Sequence, residues 1–143
     1  MNKLTLDGLK QAMLDAGLEV YRVEGDEIRL AERVRMHLMD SGVAVSARGA
    51  AQILLTVRSQ RSDFPATSAD DLFSMVRSAM QNSVETRGFR EVCAAARDIT
   101  NPVDDSQVLD VWHEVTFKKQ VPGLEALLDD VRWALHVPKC IER

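Results

Sequence analysis

At 143 residues the chain is long enough to bury a core as a single domain without disulfides or metal. Its hydrophobic share of 45% and charged share of 28% suit an ordinary globular domain, and it shows no repeat or low-complexity segment. A net charge of −4 argues against general nucleic-acid binding, which draws on clustered Lys and Arg. The lack of an apolar run of about 18 residues or of a charged-then-apolar leader argues against membrane insertion and secretion.

Thr5 suits an N-cap, and Leu6, Leu9, Met13 and Ala16 recur at helical spacing until Gly17, so the first element is a short helix over residues 5–16. Residues 20–23 and 27–30 flank Glu24-Gly25-Asp26 as a β-hairpin. The next segment supports two readings. Leu30, Ala31, Val34 and Leu38 share a helical face, with Ala-Glu-Arg as a helix-forming start and Ser41-Gly42 as a stop. Ile28, Leu30, Val34, Met36 and Leu38 come close to a strand alternation. The helix, over 30–41, is the expectation, since Glu32 can also pair with Arg35 at i+3.

Residues 42–47 and 52–58 form a candidate strand pair around Arg48-Gly49. A polar loop with Arg61, Asp63, Phe64 and Pro65 leads to the best-marked helix, residues 69–83. There Ala69, Leu72, Phe73, Val76, Ala79 and Met80 make one stripe. Thr67 or Ser68 is its cap, and Asp70 and Asp71 favour the positive end of its dipole. Residues 89–98 fit a helical stripe on periodicity and a strand on pairing with the later strand. After the turn at 101–106, residues 109–118 alternate as a half-buried strand with Leu109, Val111, His113, Val115 and Phe117 on its apolar face. A last helix over 123–136 ends at Pro138.

The expected fold is therefore α+β in a single domain, residues 1–143, with a small mixed or antiparallel four-stranded sheet drawn from residues 43–58 and 89–120. Its order is α-(β-hairpin)-α-β-β-α-β-β-α.

Catalytic and cofactor motifs are not evident in this order of residues. None of the seven glycines belongs to a phosphate-binding loop, and no serine stands in a Gly-x-Ser-x-Gly frame. Cys93 and Cys140 lack metal-ligand spacing and are expected to be reduced thiols. His113 falls on the apolar face of its strand, where a hydrogen-bonded core or interface histidine is expected. The acidic pairs at 70–71 and 129–130 point about 100° apart on helices, as solvated faces do. The expectation is no enzyme, no cofactor, no metal and no small-molecule substrate.

Contact with other proteins has more behind it. Phe64, flanked by Arg58, Arg61 and Asp63, is either an exposed anchor at a loop tip or a staple folded back before the helix. Trp112 falls on the polar face of its strand, so either a partner or, as expected, the C-terminal helix covers it. These five residues are the candidate contact set.

Residues 52–59 (Gln-Ile-Leu-Leu-Thr-Val-Arg-Ser), the helix from Ala69 to Met80, Asn101-Pro102-Val103-Asp104-Asp105 and Val111-Trp112-His113-Glu114-Val115-Thr116-Phe117 together resemble the tail-terminator, tail-completion and minor capsid proteins of tailed bacteriophages. The resemblance covers about half the chain. It implies a non-enzymatic virion protein forming a ring, commonly a hexamer, that caps the tail tube and joins it to the head connector. DNA would pass through its lumen without specific binding. It also implies assembly in the host cytoplasm and residence in the tail or neck. If residues 28–38 are instead a strand, the order becomes α-βββ-α-ββ-α. That order is similar to the small acidic dimeric chaperones of type III secretion, which bind an unfolded partner segment.

Overall fold

The computed structural model describes residues 5–48 and 50–142. Its elements are α1 (Leu6–Asp15), β1 (Val20–Glu24), β2 (Glu27–Val34), β3 (His37–Ser46), β4 (Ala51–Gln60), α2 (Ala69–Arg87), β5 (Arg90–Thr100), β6 (Val108–Val121), α3 (Leu124–His136) and β7 (Cys140–Ile141). The α+β class holds, with seven strands rather than four, hydrogen-bonded in the order β1-β2-β3-β4-β6-β5 and with β7 beside β4. The chain divides into two compact units, one from Met1–Leu55 with Lys118–Val137 and the other from Thr56–Phe117 with Pro138–Arg143, so β4 and β6 contribute to both. No helix among the described residues is long and apolar enough to cross a membrane.

In the first unit, α1 starts where Thr5 Oγ1 accepts from the Gly8 amide at 3.0 Å, and it buries Leu9 and Met13. Residues 30–41 are not a helix. Strand β2 runs to Val34, the chain reverses at Arg35-Met36, and β3 begins at His37. Val34 pairs with His37 and Arg33 with Leu38, leaving a two-residue turn with φ of 51° and 71°. Both residues are left-handed, as in the hairpin turns whose twist matches that of the strands.

Tertiary pairing outweighs the helix-forming tendency of Ala-Glu-Arg here. Ile28 and Leu30 are fully buried, and Ile28 lies opposite Val45, itself fully buried. The register shifts between Arg29 and Ala31, so consecutive residues Leu30 and Ala31 both face inward. Ser41-Gly42, which resembles a helix stop, forms the partner side of that irregularity. Gly42 has φ 81°, and Ser41 Oγ donates to the Leu30 carbonyl at 2.7 Å. The mixed spacing at 28–38 is thus the trace of a bulged strand that ends in a two-residue turn and reverses into the next.

Strand β3 continues into a strand pair with β4, Val43 opposite Leu55 and Val45 opposite Ile53. This is the expected pair at 43–58; Gly49 of its turn lies outside the described residues. Helix α3 buries Leu127, Val131 and Ala134, and with them Asp130, whose carboxylate meets Lys119 Nζ at 2.7 Å.

In the second unit, α2 is capped by Ser68, whose Oγ accepts from the Asp71 amide at 3.2 Å. It runs four residues past the expected end, to Arg87, and stops at Gly88 in the left-handed region at φ 80°. Leu72, Val76 and Met80 are its buried stripe, and the Leu72 carbonyl accepts from Ser59 Oγ of β4 at 3.0 Å. Residues 90–100 are a strand, which resolves the ambiguity at 89–98 in favour of pairing. Along β6, His113, Val115 and Phe117 are buried as their alternation requires, while Leu109, near the open end, is 53% exposed. Strand β7 is absent from the sequence-based expectation; it pairs in parallel with β4, Arg58 opposite Cys140.

Candidate protein-interaction site

The residues that alternate with the buried set of β4 and β6 form an open face in the second unit. Thr56, Arg58 and Gln60 of β4 lie there with Asp110, Trp112, Glu114 and Thr116 of β6, all half-buried. The two threonine hydroxyls share a 3.0 Å hydrogen bond across the strands.

Trp112 is at the centre of this face. The Arg58 guanidinium lies 3.9 Å from its ring centroid and that of Arg97, from β5, 5.0 Å. Because β6 runs between β4 and β5, the two cations reach the indole from the strands on either side. Arg97 also makes a two-point contact with the Glu114 carboxylate, at 3.0 and 3.2 Å. Asp110 completes the row: Ser62 donates to it through its amide at 3.0 Å and its hydroxyl at 2.7 Å. Burial pushes the Asp110 carboxyl upward, but hydrogen bonds from Ser62, the Val111 amide and the Trp112 side chain outweigh it and hold the group below its usual range. The indole ring is therefore held between two cations.

Of the five sequence-predicted contact residues, Arg58 and Trp112 are brought into direct contact. Two guanidinium groups cover the indole. Arg61 anchors the following loop, its amide donating to the Val111 carbonyl at 2.9 Å. Phe64 is half-buried in a tight turn, with its amide on the Arg61 carbonyl at 3.0 Å and its own carbonyl taking the Thr67 amide at 3.1 Å. Asp63 is half-buried in the same turn. Burial pushes the Cys140 thiol upward, Arg58 works against this, and Asp63 adds to it, so these groups share one electrostatic neighbourhood. Arg97, Glu114 and Asp110 were missed as site residues. Arg97 had no legible role while residues 89–98 could be helix or strand.

His113 lies on the other side of β6, buried against the Phe73 ring at 5.1 Å between centroids and 71° between planes. The expected hydrogen bond is not there at Nδ1, which has no partner among the described residues. Burial first, and the positive charge of Arg61 second, push its pKa below the ordinary 6.5, with Asp110 opposing. In the window between that lowered value and the unfolded value of about 6.5, the unfolded chain binds more protons than the folded one. Stability therefore falls as pH drops through this window and is regained above it. Urea midpoints of the wild type are expected to decline from about pH 7 to about pH 5 more steeply than those of His113→Phe. Parallel declines would show that His113 carries none of the slope.

The outermost strand of this unit, β5, is the other conspicuous surface. Ten of its eleven residues are exposed and only Ile99 is half-buried. Behind its first residues, Arg77 of α2 holds the Glu91 carboxylate at 2.7 and 3.0 Å and keeps its pKa below the usual range. A groove of about 280 Å³ beside this pair is lined by Arg77, Gln81, Glu85, Glu91 and Phe117. In the first unit, the β2–β3 hairpin end exposes Val34, Met36, Leu38 and Met39, with Met36 91% accessible. No group of three or more His, Cys, Asp or Glu that could hold a metal ion occurs among the described residues.

Comparison with protein-family models, with curated proteins and with solved structures finds no match to the chain.

Proposed function

We propose that the protein is a non-enzymatic binding protein that works as a homodimer and holds an extended segment of a partner protein, in the manner of the small acidic chaperones of type III secretion. The observation that carries this reading is the β2–β3 hairpin over residues 27–46. With strands in place of a helix there, the order becomes α-ββββ-α-ββ-α, followed by the short β7. This is the chaperone-like order with one more strand ahead of the central helix. The link to function is an analogy of fold. It gains support from the exposed apolar hairpin end and from a preset Trp112 face suited to protein contact.

A second reading, the tail-terminator ring, draws on a different observation. Both ends of the strand order, β1 and β5, are exposed, and two unlike edges can join head to tail around a closed rotation. In that reading the acidic ring assembles in the host cytoplasm, caps a tail tube beneath the head connector, and lets DNA slide through its lumen.

Light scattering over a range of concentrations separates the two. A dimer, with Trp112 emission of a Trp133→Phe variant changing saturably on titration with one peptide from a panel of extended 20-residue sequences at about micromolar concentration, is the expected result. Closed rings in negative stain would replace the chaperone reading with the terminator reading. A dimer that binds none of the peptides would remove the partner-holding role.

A further inference from the structure

The loop after β4 and the start of β6 border a second groove in the second unit, lined by Arg61 and Pro65 of the loop and by Val108, Leu109 and Val111 of β6. At about 260 Å³ it is smaller than the roughly 300–1,000 Å³ of pockets that enclose small molecules, so it suits the side chains of another protein. Its apolar wall is open, with Val108 49% and Leu109 53% exposed. Its cation is open as well. Arg61 is half-buried and makes no ion pair among the described residues, whereas Arg77 and Arg97 each hold a glutamate. Asp110, the acid on the groove wall, is engaged by the Ser62 amide and hydroxyl. Asp63, in the same loop as Arg61, forms no ion pair with it. A half-buried guanidinium beside bare aliphatic side chains is complementary to a carboxylate beside an aliphatic side chain.

We propose that this groove binds an extended stretch of the partner protein that carries an aliphatic residue and a glutamate or aspartate two positions apart. The aliphatic side chain lies against Pro65, Val108 and Leu109, and the carboxylate meets the Arg61 guanidinium. In an extended chain, residues two positions apart share a face and stand about 7 Å from each other, so both reach one groove. An arginine fork takes a carboxylate through two parallel hydrogen bonds, which fixes where along the groove the segment sits. The Arg61 backbone is already fixed, its amide donating to the Val111 carbonyl, so the loop presents the guanidinium from a defined point. The proposal rests on the partner-holding reading above and adds to it the kind of sequence that is held.

The test is a titration of the full chain, followed by NMR, with a nine-residue peptide of threonines that has leucine at its centre and glutamate two positions to either side, capped at both ends. Saturable shifts of the Val108 and Leu109 methyl signals are the expected result. The pKa of His113 should also rise on binding, because the positive charge of Arg61 holds it down, against Asp110, and a carboxylate on Arg61 offsets that charge. Glutamine in place of both glutamates is expected to weaken binding at least fivefold and to leave His113 unmoved. Alanine in place of the leucine should weaken it to a similar degree. Arg61→Glu retains the backbone hydrogen bond of the loop and should reject the acidic peptide while binding one with lysine in place of both glutamates, a reversal that a purely structural arginine would not give. Urea midpoints confirm that the variant is folded. Equal binding of the glutamine peptide, shifts away from the groove, no binding, or no reversal would each overturn the site. If a peptide lacking this pattern is held equally by the wild type and by Arg61→Glu, the site falls and the partner-holding reading stands. Charge reversal in a chain that is monomeric or forms rings would leave the site standing and remove the dimeric reading.

Discussion

Replacing Leu72 by Ala is expected to lower the stability of the protein by about 3 kcal/mol, seen as a fall in urea midpoint with little change in slope. Leu72 lies in the first turn of α2 and is fully buried, with its backbone carbonyl tied to Ser59 of the sheet. The hydrogen bond limits how far the helix can settle into the space a shorter side chain leaves. The loss is therefore the transfer energy of the missing carbons plus a cavity term. Leu109→Ala is the matching control: at 53% exposure its loss should stay near 0.5 kcal/mol or below. If the two variants lost equal stability, α2 would not be packed as described.

The second large effect concerns charge. Lys119→Met is expected to destabilise by about 3 kcal/mol, because it takes the cation away from a carboxylate that remains buried. Asp130 is only 5% exposed, and Lys119 Nζ stands 2.7 Å from it. Removing the acid as well, in Lys119→Met/Asp130→Leu, should recover most of the loss, since an apolar pair of similar volume has no desolvation to offset. A double-mutant cycle measured by urea unfolding gives the coupling directly. Additive losses in the two single variants, with no recovery in the double, would show that the pair does not act as a unit.

Much of the architecture was legible because local and tertiary preferences agree. The caps at Thr5 and Ser68, the stripe through Leu72, Val76 and Met80, the alternation of His113, Val115 and Phe117, and the stop at Pro138 each point one way, and the fold follows them. Residues 30–41 misled because a bulge places Leu30 and Ala31 on the same side, which mimics helical spacing, and because a turn of Arg and Met carries none of the usual Gly or Asn. Strand β7 is two residues long and depends wholly on β4 for its existence, so it leaves no periodic trace. In the candidate site, Arg58 and Trp112 were found as odd residues on a polar face. Arg97 was not, because its role depends on the distance between strands and not on spacing along the chain. Phe64 had two readings, a loop-tip anchor or a staple folded back before the helix, because neither composition nor periodicity registers the hydrogen bonds at Arg61 and Thr67 that make the loop a compact turn.

The division of the chain bears on how the protein can be made. The first unit combines Met1–Leu55 with Lys118–Val137, and the second combines Thr56–Phe117 with Pro138–Arg143. Neither is a contiguous stretch, so no single cut yields either one whole. On a ribosome, the hairpins over residues 20–60 emerge before α3 and lack it until residue 136 has been synthesised. At about 5–20 residues per second, Ile28, Val45 and Ile53 wait several seconds for that helix, with only α1 and their own hairpins to cover them. Codon choice between residues 55 and 118, which sets the length of that wait, should therefore affect the yield of folded protein more than the same changes made after residue 137.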